Sequence, residues 1–421
     1  MSRSKKELGA RLRAARESAG LTQANLAETL GVPRSAVAEI EAGTRSVSAL
    51  ELVAMARACG RQPSELLQEA PLAADPVGRL LAAHPELEAV GAVAQGLRDR
   101  WFACGAIAVL EDQLELSPRM AAELEYRGPA PASRWDAVQQ GREVAQQERA
   151  RLGLGTAPVQ ALAELLQAQG LRVDAVELPE GTQGAMLHEG GTRSRLGPLV
   201  LVNDRLPRAQ RGLALAHAYA HVRLDRERGA VLCRGADRED LMEVRANAFA
   251  AHFLMPEAGV LEFLAASGKG DSGRQVQVVA DAVCERPVDA VYVTKRSKVV
   301  QREIQPHDVV LLAHHAGVGY GVALAHLLNL QVLTHDRLAA LQLEEDRLQR
   351  LVRLLVGAEA QVDDEAGMLA RRVVALALEA QRRECISRRK CLELARDAGV
   401  DADLVAAVQE DLGLGLQPVG P

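Results

Sequence analysis

The stretch that most limits how this chain folds runs from Gly212 to Pro256. It begins Leu213-Ala-Leu-Ala-His217-Ala218-Tyr219-Ala220-His221, an apolar run that predicts a helix carrying two imidazoles four residues apart. Side chains at i and i+4 share a helical face, so both reach a single ion. Further on, Glu243 opens a second helix-like run that ends in Leu-Met-Pro256. Two histidines and a carboxylate leave one coordination position open, which is a ligand set of catalytic zinc. The pair alone decides little. Ten histidines in 421 residues make a His-x-x-x-His unsurprising, and two core histidines on a buried helix explain it equally well.

The neighbours narrow the choice. Leu-Ala-Leu-Ala-His-Ala-Tyr-Ala-His, followed by Glu243-x-x-Ala-Asn247-x-Phe249-Ala-Ala-x-Phe-Leu-Met-Pro256, resembles the ImmA/IrrE family of zinc metallopeptidases. The resemblance implies Zn2+ held by His217, His221 and Glu243. It also implies a glutamate directly after the first histidine, acting as general base. Here that catalytic position is Ala218, which accepts no proton. Metal binding is therefore expected to persist, with hydrolysis slowed about a hundred- to ten-thousand-fold by loss of the base. A deliberate Glu→Ala substitution and a natural pseudopeptidase both explain Ala218, and the intact remainder of the motif favours the first. Asp225 and Glu227 read as part of a solvated Arg-Leu-Asp-Arg-Glu-Arg face rather than as partners of the histidines.

A second legible stretch is residues 1–70. Leu8, Leu12 and Ala15 have helical spacing, Thr22 suits an N-cap for Gln23 to Leu30, and Gly31 suits the stop. Pro33 to Ala42 reads as the next helix, and Ser48 to Cys59 and Pro63 to Leu67 complete a bundle. Two short helices about a glycine turn make a helix-turn-helix. The run Leu21 to Gly43 resembles the Xre/phage-repressor type. That resemblance places Gln23, Arg34, Ser35, Ala38 and Glu39 toward DNA and Arg45 near a phosphate. It also implies a homodimer on paired half-sites.

With a net charge of −6, any nucleic-acid surface must be local. The six cysteines show no C-x-x-C pair and read as isolated thiols in a reducing compartment. The N-terminus lacks an apolar signal core and no run approaches 18 apolar residues, so a cytoplasmic protein without a membrane span is expected.

The expected fold class is mainly α (α+β). Four regions are expected: 1–70, the helix-turn-helix bundle; 71–135, a helical connector with helices at 76–83, 85–102 and 106–116; 136–265, a zincin-like peptidase core with a small sheet; and 266–421, a helical C-terminal region for partner or substrate binding. In the connector, Trp101 and Phe102 read as core-filling. Strands are expected at 171–176, 184–187 and 197–202, and a helix at 274–284. The resemblances together imply a stress- or phage-responsive regulator whose peptidase domain acts on an Xre-type repressor. The alternatives are a metal-sensing regulator that cuts nothing and an antitoxin-like component of a two-gene module.

Overall fold

The computed structural model describes residues 2–61, 75–116, 128–189, 196–237, 239–269, 303–343, 345–356 and 367–412. It also describes short pieces at 63, 66, 126, 274–276, 294–296 and 414. The chain divides into two compact units. One comprises Met1–Met120, Leu187–Leu199 and Gly367–Pro421, the other Ala121–Met186 and Val200–Ala366.

The first unit begins with α1 (Ser2–Ser18), α2 (Gln23–Leu30), α3 (Arg34–Glu41) and α4 (Ala49–Ala58). Their ends are encoded locally. The Thr22 hydroxyl accepts from the Asn25 amide, Gly31 closes α2 in the left-handed region at φ 64°, and Ser48 forms a capping box with Glu51. Leu12, Leu26, Val37, Ile40 and Met55 fill the core. The fifth helix expected at 63–67 lies mostly outside the described residues.

Three helices follow: α5 (Pro76–Ala83), α6 (Pro85–Ala89) and α7 (Gly91–Gln113). The two helices expected at 85–102 and 106–116 are instead a single turn and one long helix. The break falls at Val90 and the helix runs on through the buried Gly105. An interior glycine costs about 1 kcal/mol against alanine, which burial of this helix against a later one outweighs. Trp101 is buried, as expected of a core-filling side chain, whereas Phe102 is only half-buried, with the Arg57 guanidinium over its ring.

The second unit holds α8 (Arg134–Leu152), α9 (Leu162–Ala168) and a four-stranded sheet. Its strands are β1 (Arg172–Val176), β2 (Thr182–Leu187), β3 (Leu199–Asn203) and β4 (Ala230–Arg234), in the order β1-β3-β2-β4. Between β3 and β4 runs α10 (Arg208–Leu224); α11 (Leu241–Leu254) and α12 (Glu257–Ala266) come after the sheet. Sequence reading missed β4. It is five residues long, and its apolar run Ala230 to Cys233 is too short to set it apart directly after the charged run Arg223 to Arg228.

Helix α11 packs on both α8 and α10. The close approach to α8 requires Gly141, where a Cβ would stand 2.4 Å from the Arg245 carbonyl oxygen and 2.8 Å from the Phe249 nitrogen. Tyr219 points from α10 into this joint, edge-on to the stacked rings of Phe249 and Phe253. Its hydroxyl donates to the buried Glu148, which is also paired with Arg151 and Arg223. These contacts fix the rotation of α10, and with it the direction of the two histidines.

After α12, the helix expected at 274–284 is replaced at its start by strand β5 (Arg274–Val276), paired antiparallel with β6 (Thr294–Arg296). The remainder of that expectation lies outside the described residues. Helices α13 (Pro306–Ala316), α14 (Tyr320–Asn329), α15 (His335–Leu341) and α16 (Glu345–Leu355) follow. The last three helices, α17 (Met368–Arg382), α18 (Arg388–Asp397) and α19 (Ala402–Asp411), belong to the first unit, where α17 packs on α7. Among the described residues no single helix is long and apolar enough to cross a membrane.

Candidate metal centre

His217 and His221 stand one turn apart on α10, and their Nε2 atoms are 3.1 Å from each other. Glu243, in the first turn of α11, brings one carboxylate oxygen to 3.0 Å from His217 Nε2 and the other to 3.3 Å from His221 Nε2. The three residues singled out in the sequence thus meet at one point. Ala218, at the position where the motif has its base, is 0% exposed.

The far side of each imidazole is held. His217 Nδ1 lies 2.7 Å from Asn247 Oδ1, one turn beyond Glu243 on α11. A carboxamide oxygen only accepts, so Nδ1 carries the proton and Nε2 presents its lone pair to the cluster. His221 Nδ1 donates to Asp225 Oδ2 at 2.8 Å. Asp225 accepts in turn from Arg245 at 2.6 Å, and Arg245 donates also to Gln140 at 3.1 Å. Histidine backed by a carboxylate is how metal sites fix imidazole tautomer and orientation. The reading of Asp225 as part of a solvated face is therefore corrected. It is buried at the C-cap of α10, where the chain turns inward instead of continuing the exposed helical face.

One member of the cluster escaped sequence reading altogether. Cys233 on β4 is 1% exposed, and its sulfur lies within 4.8 Å of a ring nitrogen of each histidine. The sequence alone groups it with the other cysteines as an isolated thiol. Without β4 nothing in the sequence brings residue 233 back to α10.

The electrostatics are those of acceptors that share a need for positive charge. Burial pulls the pKa of His217 down, but Cys233 and Glu243 outweigh it and raise the imidazole to about 9. Burial likewise opposes the charge on His221, which Asp225, Cys233 and Glu243 push well above its ordinary value. Burial works against ionisation of Glu243, yet the two histidines hold it well below the usual carboxylate range. Cys233 is lowered by the same imidazoles against burial. Two Nε2 atoms and a carboxylate at 3.0–3.3 Å need a cation between them, either protons or a metal. For zinc bound tetrahedrally at about 2.0–2.1 Å, neighbouring donors stand about 3.3 Å apart, so these residues fit the ion.

The residues expected at DNA divide into two groups. Arg34, Ser35 and Glu39 are exposed on α3, with Ala38 half-buried beside them. The other two are engaged within the bundle. Gln23 Nε2 donates to Glu41 Oε2 at 2.9 Å, and Arg45 Nη2 donates to Glu51 Oε1 at 2.6 Å. Beneath them Arg16 makes a buried pair with Glu41, Nε to Oε1 at 2.6 Å.

Two family models match parts of the chain: residues 12–66 match the helix-turn-helix model and residues 175–286 match the IrrE N-terminal-like domain. The chain thus carries an Xre-type helix-turn-helix domain and, in the same polypeptide, a domain of the IrrE/ImmA-like peptidase family. A search of curated proteins returned no match.

Proposed function

We propose that this chain is a DNA-binding transcriptional regulator whose peptidase-like domain holds one divalent metal, Zn2+, and does not hydrolyse peptides. The observation that carries this reading is the meeting of His217, His221 and Glu243 within 3.0–3.3 Å beside Ala218. When bound, a dication in such a site supplies Lewis acidity and lowers the pKa of a coordinated water. The chain's own residues support holding rather than cutting. His217 and His221 would bind through Nε2, with Asn247 and Asp225 keeping Nδ1 protonated. Glu243 would contribute charge, and Arg245 fixes Asp225. Ala218 can take no proton from water, and His217, His221 and Glu243 are each no more than 5% exposed.

At the other end of the chain, Arg34, Ser35, Ala38 and Glu39 on α3 form the base-reading face, with Gln23 and Arg45 flanking it. Both flanking side chains must exchange an internal partner for DNA. The family resemblance supplies the setting: cytoplasmic, stress- or phage-responsive control of transcription, a homodimer on paired half-sites, and an Xre-type repressor as protein partner, bound without being cut.

The test is elemental analysis of the purified chain beside His217→Ala, with both incubated with Xre-type repressors. About one zinc per native chain is expected, as for a single four-coordinate site. The variant should hold little, and no repressor should be cleaved. Equal zinc in both proteins removes the site assignment, and cleavage by the native chain removes the holding role.

A further inference from the structure

We infer that Cys233 supplies a thiolate as the fourth metal ligand, so that the site is closed by protein on all sides. This rests on the metal-holding reading proposed above and deepens it. Three observations carry it. The sulfur lies within 4.8 Å of a ring nitrogen of each histidine, alongside the Nε2 atoms that already face Glu243. The cluster is sealed: Cys233 is 1% exposed, His221 0% and His217 2%. Third, β4 and α10 pack together, so the strand presents the thiol to the histidine pair by backbone placement and not by a long flexible side chain.

A thiol that only filled space would sit among aliphatic groups, behaving as a small hydrophobe. This one has its sulfur within 4.8 Å of a ring nitrogen of each of two imidazoles. Zinc sites with four protein ligands are structural, whereas catalytic sites keep three and leave a position for water. Two histidines, a carboxylate and a thiolate leave none. On ligation the thiol proton passes to solvent and no electron moves. The closed shell also gives Ala218 a physical context: a base at position 218 has no metal-bound water to deprotonate.

Cobalt substitution of the full chain tests this directly. The native chain should bind Co2+ with tetrahedral visible bands and a near-ultraviolet thiolate-to-cobalt charge-transfer band. Cys233→Ser and Cys233→Ala should lose the charge-transfer band while keeping visible bands from the remaining ligands. They should bind the ion at least about tenfold more weakly, the lower end of what loss of even an outer-shell partner costs. Proton release on binding should fall by about one per chain, because a thiol no longer ionises. Circular dichroism of the cobalt-free variants checks that they fold. Tetrahedral bands without a thiolate band, identical in native and variant, overturn the inference and leave the metal reading standing. A thiolate band that survives Cys233→Ser places the ligand on another cysteine and overturns it also. No cobalt binding by the folded native chain overturns both.

Discussion

Glu41 in the N-terminal bundle and Glu243 in the peptidase-like domain are both buried carboxylates facing buried nitrogen groups, yet their surroundings differ in one respect. Glu41 is answered by nitrogens that can only donate: the Arg16 guanidinium Nε at 2.6 Å and the Gln23 amide nitrogen at 2.9 Å. Its charge is balanced by the chain itself. Glu243 faces two Nε2 atoms that are acceptors unless something positive reaches them. The bundle is therefore complete as folded, and the other cluster is complete only with protons or an ion. A closed ion pair holds a scaffold; an unanswered set of acceptors makes a site.

The largest effect expected follows from removing one side of the closed pair. Glu41→Ala leaves Arg16 charged and buried with only the Leu21 carbonyl and Glu17 as partners, a loss at the lower end of about 3–5 kcal/mol. Hydrogen exchange should show it as lost protection in α2 and α3 with α11 unchanged. A loss below about 1 kcal/mol would mean that the pair is not buried in solution as it is here. Replacing both partners by apolar residues, Arg16→Met with Glu41→Leu, should restore most of the stability, since buried pairs and well-packed apolar isosteres are often equivalent.

Local chemistry made the bundle readable almost to the residue. Thr22, Gly31, Pro33 and Ser48 sit at the helix ends where their backbone preferences place them. The histidine pair was readable for the same reason, by its spacing along one helix, and Glu243 through the family resemblance of the run that it opens. What sequence did not disclose was which elements meet. Cys233 reaches the histidines through a short strand hidden behind a charged run, and Asp225 turns inward at a helix end that looked solvated. Two close helix approaches depend on glycines that no periodicity marks. A Cβ on Gly9 would come within 2.5 Å of the Ile40 carbonyl oxygen, and one on Gly141 within 2.4 Å of the Arg245 carbonyl oxygen. Burial periodicity says that a face is covered and is silent about what covers it.

Acidity separates the two regions next. The bundle contains no histidine, all ten lying beyond residue 80. In the second unit His252 and His326 pack edge-to-face at 4.7 Å. His326 Nε2 donates to the Met255 carbonyl at 2.7 Å, and its Nδ1 is buried without a partner. Burial, with the Arg142 charge nearby, lowers His326 to about 4, and burial beside His326 lowers His252 well below its ordinary value. A folded-state pKa below the unfolded one means that the unfolded chain binds more protons as pH falls. Stability is therefore full above about 6.5 and declines toward 4, by about 3 kcal/mol for His326 alone. Denaturant titrations of metal-free protein between pH 7 and 4.5 should show this decline for the second unit. His326→Gln keeps a donor for Met255 and should flatten the slope. An unchanged slope in that variant would move the effect to other groups.

The smallest effect probes the outer support of the site, where the contrast with the bundle is sharpest. Asp225 accepts from His221 Nδ1 through one oxygen and from Arg245 through the other. Asp225→Asn keeps the shape but removes the charge, and its amide nitrogen must face one of two donors. In the bundle the same exchange would simply break a pair. Here it should act through the imidazole, weakening His221 as a ligand and lowering metal affinity about 10- to 100-fold, equivalent to about 1.4–2.8 kcal/mol. Competition with a chromophoric chelator measures this, and the stability of the metal-free protein under denaturant provides the control. If affinity falls only in proportion to lost stability, Asp225 is a buried ion-pair partner of Arg245 and nothing more. If affinity falls while the metal-free fold holds, the carboxylate is there to keep Nε2 basic and aimed, which a bundle that needs no ion would have no use for.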